Sequence, residues 1–307
     1  MADSSGQADI RGIDIDKLAK GFADEANVMK KFVTNSKTKA REIRWYQKTS
    51  GFLDTADTSG ITATHIAGVA EGARPYVTEQ SWTRQTSYVR KYFVESPVIS
   101  NEDIKDSDVD VLATNVRDLV RGVARQVDQR IIMILTNAAA ATPTTPLTDT
   151  STYGAVQTSA SVDEWDQTAT AKPITDIMNG AQLIRAQGYE PNGGMMGMNS
   201  IEHKLLLTHL IETKGSSIPD WSSAKMDTGV IMTILGWNVV VSENFTTDWV
   251  TQWIPNRSIT WKSFMPITAV KIPEPLIGVK IRVAEEGEAL LTDRNSVHII
   301  SNTGVTG

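Results

Sequence analysis

The sequence predicts an α+β fold, on three observations: one long amphipathic helix, a strand-like stretch just ahead of it, and a run of short strands toward the C-terminus. Hydrophobic residues at 40% and charged residues at 21% are those of an ordinary folded chain, and 307 residues suffice for a sizeable core.

The first distinct segment is basic. Lys30, Lys31, Lys37, Lys39, Arg41, Arg44 and Lys48 face only Glu42 across that span, which suits a solvated helix or an arm that crosses a neighbour or faces DNA. From Thr49 to Arg90 the composition turns to Gly, Thr and Ser, with Gly51, Gly60, Gly68 and Gly72 making a helix improbable. Within it, Tyr76 to Val94 alternates imperfectly and reads as a strand with one wet face. Two arms of about 20 residues at ~3.3 Å each would form a hairpin roughly 60 Å long, too extended to pack on its own subunit.

The helix begins near Ser107, where Asp110 three residues on and Asp108 in the first turn mark an N-terminus, and ends near Asn137. Val109, Leu112, Val116, Leu119, Val120, Val123, Val127, Ile131 and Ile134 draw one apolar stripe over ~45 Å, the pattern of a spine. Arg117, Arg121 and Arg125 form a second, basic stripe, partly offset by Asp118 and Asp128 and read as a solvated or ion-paired face.

Residues 138–172, rich in Ala, Thr, Ser and Pro, read as a surface excursion. A helix over Ile174 to Gln187 follows, with Ile174, Ile177, Met178, Ala181 and Ile184 on one face and Gly188 as its stop. Met195 to Met198 is a short buried strand, and Ser200 caps a helix to about Ile211. Val230 to Leu235 leads into a strand at Trp237 to Ser242. Further strands are expected at 250–254, 259–263, 267–272, 279–284, 289–291 and 297–300. Trp237 and Trp261 are expected in the core, whereas Trp45 and Trp82 suit burial against a second subunit.

Chemistry leaves no trace in the sequence. The absence of cysteine excludes disulfides, thiolate metal sites and thiol catalysis. His65, His203, His209 and His298 lack metal-ligand spacing, and the run Asp106, Asp108, Asp110 lacks the glycine a calcium loop requires. No phosphate-binding glycine loop or nucleophile elbow occurs, and Glu285 and Glu286 beside Gly287 read as a polar bend. No catalytic, cofactor-binding or metal residues are therefore expected. The acidic opening, with Asp3, Asp9, Asp14 and Asp16, is not a secretory signal, so synthesis in a cytoplasm is expected, and no stretch suits a membrane span. A net charge of −6 argues against gripping nucleic acid, though not against enclosing it.

The order of parts, through SPVISNEDIKDS, the spine helix, LIRAQGYEPNGGMMGMNS, LGWNVVVSEN and EALLTDRNSVHIIS, resembles the major capsid proteins of the Hong Kong 97 (HK97-like) type, shared by tailed phages. The resemblance implies an N-terminal arm at 1–48, an extended E-loop at 49–91 and a P domain with the spine helix at 92–137. It further implies an A domain with the Ala/Thr/Ser-rich insertion at 138–263, P-domain return strands at 264–288 and a C-terminal A-domain segment at 289–307. It implies pentamers and hexamers that close an icosahedral virion shell around double-stranded DNA in a host cytoplasm, without sequence-specific binding and without catalysis. A separate scaffolding protein, a portal and decoration proteins are the implied partners, because arm and E-loop take up the residues before the spine helix. Some members cross-link through an E-loop lysine, but residues 49–90 contain none, so a non-covalent shell is expected. Trp45, Glu71, Arg74, Trp82, Arg84, Arg90 and Glu95 are the expected inter-subunit contacts, from their place on the arm and on a hairpin that cannot pack alone. An encapsulin-type nanocompartment shell, and an α/β enzyme with an unrecognised site, are the competing readings.

Overall fold

The computed structural model describes residues 29–48, 70–74, 82–106, 111–136, 156–167, 170–213 and 233–304. The described chain forms two sheets, a separate two-stranded ribbon and four α-helices. The fold is α+β, as the sequence predicts.

The first sheet is built on one long antiparallel hairpin, β11 (Ile259–Glu274) and β12 (Gly278–Leu291). Each of these continues through what the sequence presents as two strands. Register shifts near Ser263, Met265 and Thr268 absorb the irregularity, so the polar interruption is a bulge inside one strand. β1 (Thr34–Lys37) lies parallel to β11 on one edge, and β4 (Arg90–Glu95) pairs antiparallel with β12 on the other side. β5 (Ile99–Ser100) pairs with the beginning of β12.

α1 (Asn101–Asp106) precedes the spine, and Ser100 Oγ accepts from the Asp103 amide at 3.0 Å to cap it. The spine itself is α2 (Val111–Leu135), packed against β4, β11 and β12. The expected start at Ser107 lies outside the described residues. Leu112, Val116, Leu119, Val120 and Val123 pack with Ile281 and Val283, while Val127, Ile131, Ile134 and Leu135 join the core around Trp253, Trp261 and Leu290. The apolar stripe is therefore real, and its two halves serve two parts of the core. Asp128, expected to offset Arg125 on a wet face, is instead buried, and Arg125 Nε donates to Asn244 Oδ1 at 3.1 Å.

The second sheet has the order β6-β13-β10-β7-β9-β8. Its strands are β6 (Gln157–Ala160), β7 (Met195–Met198), β8 (Thr233–Ile234), β9 (Trp237–Val241), β10 (Trp249–Trp253) and β13 (Val297–Ser301). β6 falls inside the stretch expected to be a surface excursion; its four mostly polar residues carry no strand signal and pair parallel with β13. Leu235 (φ 49°) and Gly236 (φ 83°) make the two-residue turn between β8 and β9, a conformation that suits glycine and twists with the strands.

α3 (Pro173–Ala186) buries Ile177 and Ile184 on the second sheet, but Met178 is exposed. Ile174, Ala181 and Ile184 keep to one face, while Met178, adjacent to Ile177, turns ~100° away from it. α4 (Ser200–Thr208) is capped by Asn199, whose Oδ1 accepts from the Ile201 amide at 3.1 Å, one residue before the expected cap Ser200. Trp237 and Trp261 are both core residues, as their sequence surroundings suggest.

Candidate inter-subunit contact site

The ribbon pairs β2 (Glu42–Lys48) with β3 (Trp82–Tyr88), antiparallel, with Trp45 opposite Gln85 and Tyr46 opposite Arg84. One strand of this hairpin thus comes from the basic segment ahead of Thr49. Alternation of side chains about a strand explains its two faces. Ile43, Trp45 and Ser87 are buried, and the Trp45 indole N–H donates to Ser87 Oγ at 3.2 Å. Val89, whose amide donates to the Arg41 carbonyl at 2.9 Å, closes the base of the ribbon on the core. The opposite face carries Tyr46, 62% exposed, and Trp82, 57% exposed.

Those two rings line a groove of about 560 Å³ with Thr34, Tyr189, Asn256, Arg257, Asp293 and Arg294. The Arg257 guanidinium lies 4.4 Å from the Tyr189 ring centroid and donates through Nε to Asp293 at 3.0 Å. Burial and the nearby Asp293 push the Tyr189 hydroxyl up to about 12, so it remains a neutral donor there. The surface is aromatic, cationic and shallow, which suits protein contact better than a small substrate.

Beneath the ribbon lies a buried charge cluster that sequence reasoning missed. Glu285, Glu286 and Glu288 do not form a solvated bend; all three sit inside β12 and are buried. Gly287 between them is required by packing, because a Cβ there would come within 2.4 Å of the Trp261 ring. Lys30 pairs with Glu285, and Arg41 lies 3.1 Å from Glu286. Glu288 accepts from Arg90 Nε at 2.7 Å on one oxygen and from Arg130 Nε at 2.8 Å on the other. Burial pushes the Glu288 carboxyl up, against the opposing pull of Arg130 and Arg90. It also raises the hydroxyl of neighbouring Tyr92. Lys30 and Arg41 of the basic segment therefore find their acids far along the chain, while Arg44 pairs locally with Glu42, and the cluster clamps arm, ribbon base, spine helix and return strand together.

The expected contact residues fall into three groups. Trp45 is buried in the core of its own subunit, so its ring anchors the ribbon from within. Arg90 is engaged with Glu288, and Glu95 accepts twice from Arg282 at 2.8 and 2.6 Å on the exposed face of the first sheet. Trp82, Arg84, Glu71 and Arg74 are exposed, the last two in the short segment 70–74. Other exposed apolar residues include Leu276 (99%) and Ile277 (60%) at the tip of the β11–β12 hairpin, and Met178 and Leu235 beside α3.

Among the described residues no group of His, Asp and Glu is placed to hold a metal, and no helix is long and apolar enough to cross a membrane. His298 is fully buried, with Nε2 3.1 Å from Oγ of the half-buried Ser159.

A long return hairpin braced by a spine helix, a second sheet beside it and a separate ribbon anchored on the core by Ile43 and Trp45 define a shell subunit of the HK97-like class. The phage capsid protein family model matches residues 98–279, and the chain belongs to that family, as a major capsid protein of the tailed-phage type. Among solved structures it is similar to a chain of Mycobacterium phage Bobi, with a TM-score of 0.63 and 13% identity over 94% of each chain. It is similar also to the capsid of the cyanophage P-SCSP1u, with a TM-score of 0.61 and 12% identity over 94% of each chain. The capsid of a native GTA particle gives 0.60 and 12% over 93% of each. No curated sequence matches the chain. As a capsid protein it assembles with itself into a shell and resides in the virion.

Proposed function

We propose that the chain forms pentamers and hexamers that close an icosahedral shell around double-stranded DNA of a tailed virus. The observation that carries this reading is the β2–β3 ribbon. Its two strands pair only with each other among the described residues, and it presents Tyr46 and Trp82 to solvent. The ribbon is fixed on the core of its own subunit by its inner face, through Ile43 and Trp45, and the two rings on its outer face are left for a neighbouring copy to cover, a contact that symmetry repeats around the shell. Trp82 and Arg84 on the ribbon, with Glu71 and Arg74 in the segment 70–74, are the contact residues, while Trp45, Arg90 and Glu95 are held within their own subunit. On the same reading the arm is 1–48, the E-loop 49–91 and the P domain 92–137 with 264–288. The A domain is 138–263 with 289–307. Scaffold, portal and decoration proteins are separate chains, assembly takes place in the host cytoplasm, and the subunit has no catalytic role.

The shell is held without covalent links from the E-loop, because residues 49–90 contain no lysine and Lys91, at its last position, lies in β4 beside Glu286 and over the Phe93 ring. A second reading, a cellular nanocompartment shell, is supported by a likeness to the virus-like particle from Pyrococcus furiosus, with a TM-score of 0.52 and 12% identity over 88% of this chain and 90% of that one. Cryo-electron microscopy of purified particles separates the two. Large DNA-filled heads are expected; small shells filled with protein would establish the compartment, and a compact low-order oligomer would overturn both. On denaturing gels the particles should run as one band at the monomer mass, and a heat-stable ladder would refute the non-covalent shell.

A further inference from the structure

Among the described residues five other than glycine hold a positive φ, and three of these are Asn or Asp, side chains that tolerate the left-handed region. The other two are leucines at hairpin turns, Leu235 and Leu276, and both are exposed. Leu276 is the more extreme. Pro275 sets the first central position of the β11–β12 turn, the Ile277 amide donates to the Glu274 carbonyl at 3.2 Å, and the positive φ (67°) falls on Leu276. This is a type II turn with leucine where glycine or asparagine fits without strain. With 99% of the side chain exposed, neither backbone nor burial in its own subunit favours leucine there. The turn is nonetheless firmly placed. The Asn101 amide donates to the Ile277 carbonyl at 3.1 Å, and a Cβ on Gly278 would lie 2.0 Å from the Ile99 carbonyl oxygen, so β5 and the start of α1 hold the tip closely. Leu276 and Ile277 thus form a rigid apolar knob, which loses little freedom on binding. Around it stand Glu274, paired with Lys280, and the exposed Glu102 and Asp103 of α1.

The complement lies nearby on the same molecule. Lys271, within roughly 17 Å of the tip along β11, lines a groove of about 710 Å³ beside the spine helix. Its floor is Leu112, Val116 and Val120, four residues apart in one row on α2 and only half-buried. Its rim is cationic, with Arg117 and Arg121 on one side and Lys271 on the other; Asp118 lies 3.8 Å from Arg117 but does not line the groove. We propose that the Leu276–Ile277 knob of one copy seats in this groove of a second copy, with Glu102, Asp103 and Glu274 facing Arg117, Arg121 and Lys271. The occupant is a second copy because both halves, matched in shape and opposite in charge, belong to one chain that assembles with itself. They are different patches at one end of the subunit, so rotation about an axis beside that end repeats the contact and closes it into a ring. The contact rests on self-assembly alone and is separate from the outer face of the ribbon.

Leu276→Asn keeps the turn and removes the knob. The unassembled variant should unfold in urea at the parent's midpoint or above it. The subunit concentration at which its shells form, followed by light scattering, should rise about tenfold or more. A lower midpoint would show that Leu276 serves its own fold, and unchanged assembly that it touches no neighbour; either result overturns the proposal. Ala113→Trp, at an exposed position lining the groove, should fill it, raising the assembly concentration and leaving the midpoint close to the parent's. Combined, the two substitutions should raise that concentration by clearly less than the product of their separate effects, because both remove one contact. A full product, or parent-like assembly of Ala113→Trp, would seat the knob elsewhere and overturn the pairing.

Discussion

Arg130 on the spine helix meets Glu288 on the return strand, Nε to Oε1 at 2.8 Å, across 158 residues of sequence and with both side chains almost fully buried. A buried pair of this kind contributes little over an apolar replacement, but removing Arg130 leaves Glu288 Oε1 without its charged donor inside the core, with Arg90 holding only Oε2. Arg130→Met should therefore destabilise the unassembled subunit by about 3–5 kcal/mol in urea unfolding. The exposed pair between Arg282 and Glu95 is the internal comparison; Arg282→Met should change stability by about 1 kcal/mol or less. Equal effects at both positions would mean that the cluster is hydrated and is not the clamp described.

His298 provides a pH signature. Burial lowers its pKa from 6.5 to about 4, since the charged ring has lost water and gained no carboxylate. A depressed histidine binds its proton more readily in the unfolded chain, so stability is complete above about pH 6.5 and falls as pH drops toward 4. The group accounts for roughly 3 kcal/mol across that window. Glu202 and Asp176, whose pKa values burial raises, act with the opposite sign, so the informative quantity is the difference between parent and variant. His298→Gln should flatten the acid limb between pH 6.5 and 4. An unchanged slope would show that the ring is solvated on that timescale.

Much of this architecture is legible in the sequence because it is local. The stripe along Leu112 to Ile134 and the continuous apolar run Met195–Met198 each report their own burial, and α3 is announced by its period and by Gly188. The clamp is hidden for the opposite reason. Glu285, Glu286 and Gly287 read as a wet turn from their neighbours alone, while their partners lie up to 255 residues away. The excess of lysine and arginine over 30–48 was the available signal, since a cationic segment that folds needs acids somewhere. β1 and β6 are strands of four mostly polar residues, TNSK and QTSA, held by their pairing and not by any pattern of their own. Of the contact residues, exposure could not be read at all. Trp45 and Tyr46 are adjacent, and strand alternation alone sends one into the core and the other into solvent.

That alternation yields the sharpest separation between folding and assembly. Trp45→Ala removes a buried ring and the hydrogen bond to Ser87, and should destabilise the subunit by about 3–5 kcal/mol whether or not shells form. Trp82→Ala and Tyr46→Ala remove exposed rings, and should leave the unassembled subunit within about 0.5 kcal/mol of the parent in urea unfolding. Their effect should appear instead in assembly, as a rise in the subunit concentration at which shells form, followed by light scattering or sedimentation. Charge reversal at Arg84 tests a polar member of the same surface, and at Arg74 the separate segment 70–74, with loss of assembly expected and stability unchanged. If Trp82→Ala, Tyr46→Ala and both reversals assemble as the parent does, the outer face of the ribbon is not a contact. The shell would then be closed by other exposed surfaces, with Leu276 and Ile277 at the hairpin tip next in line.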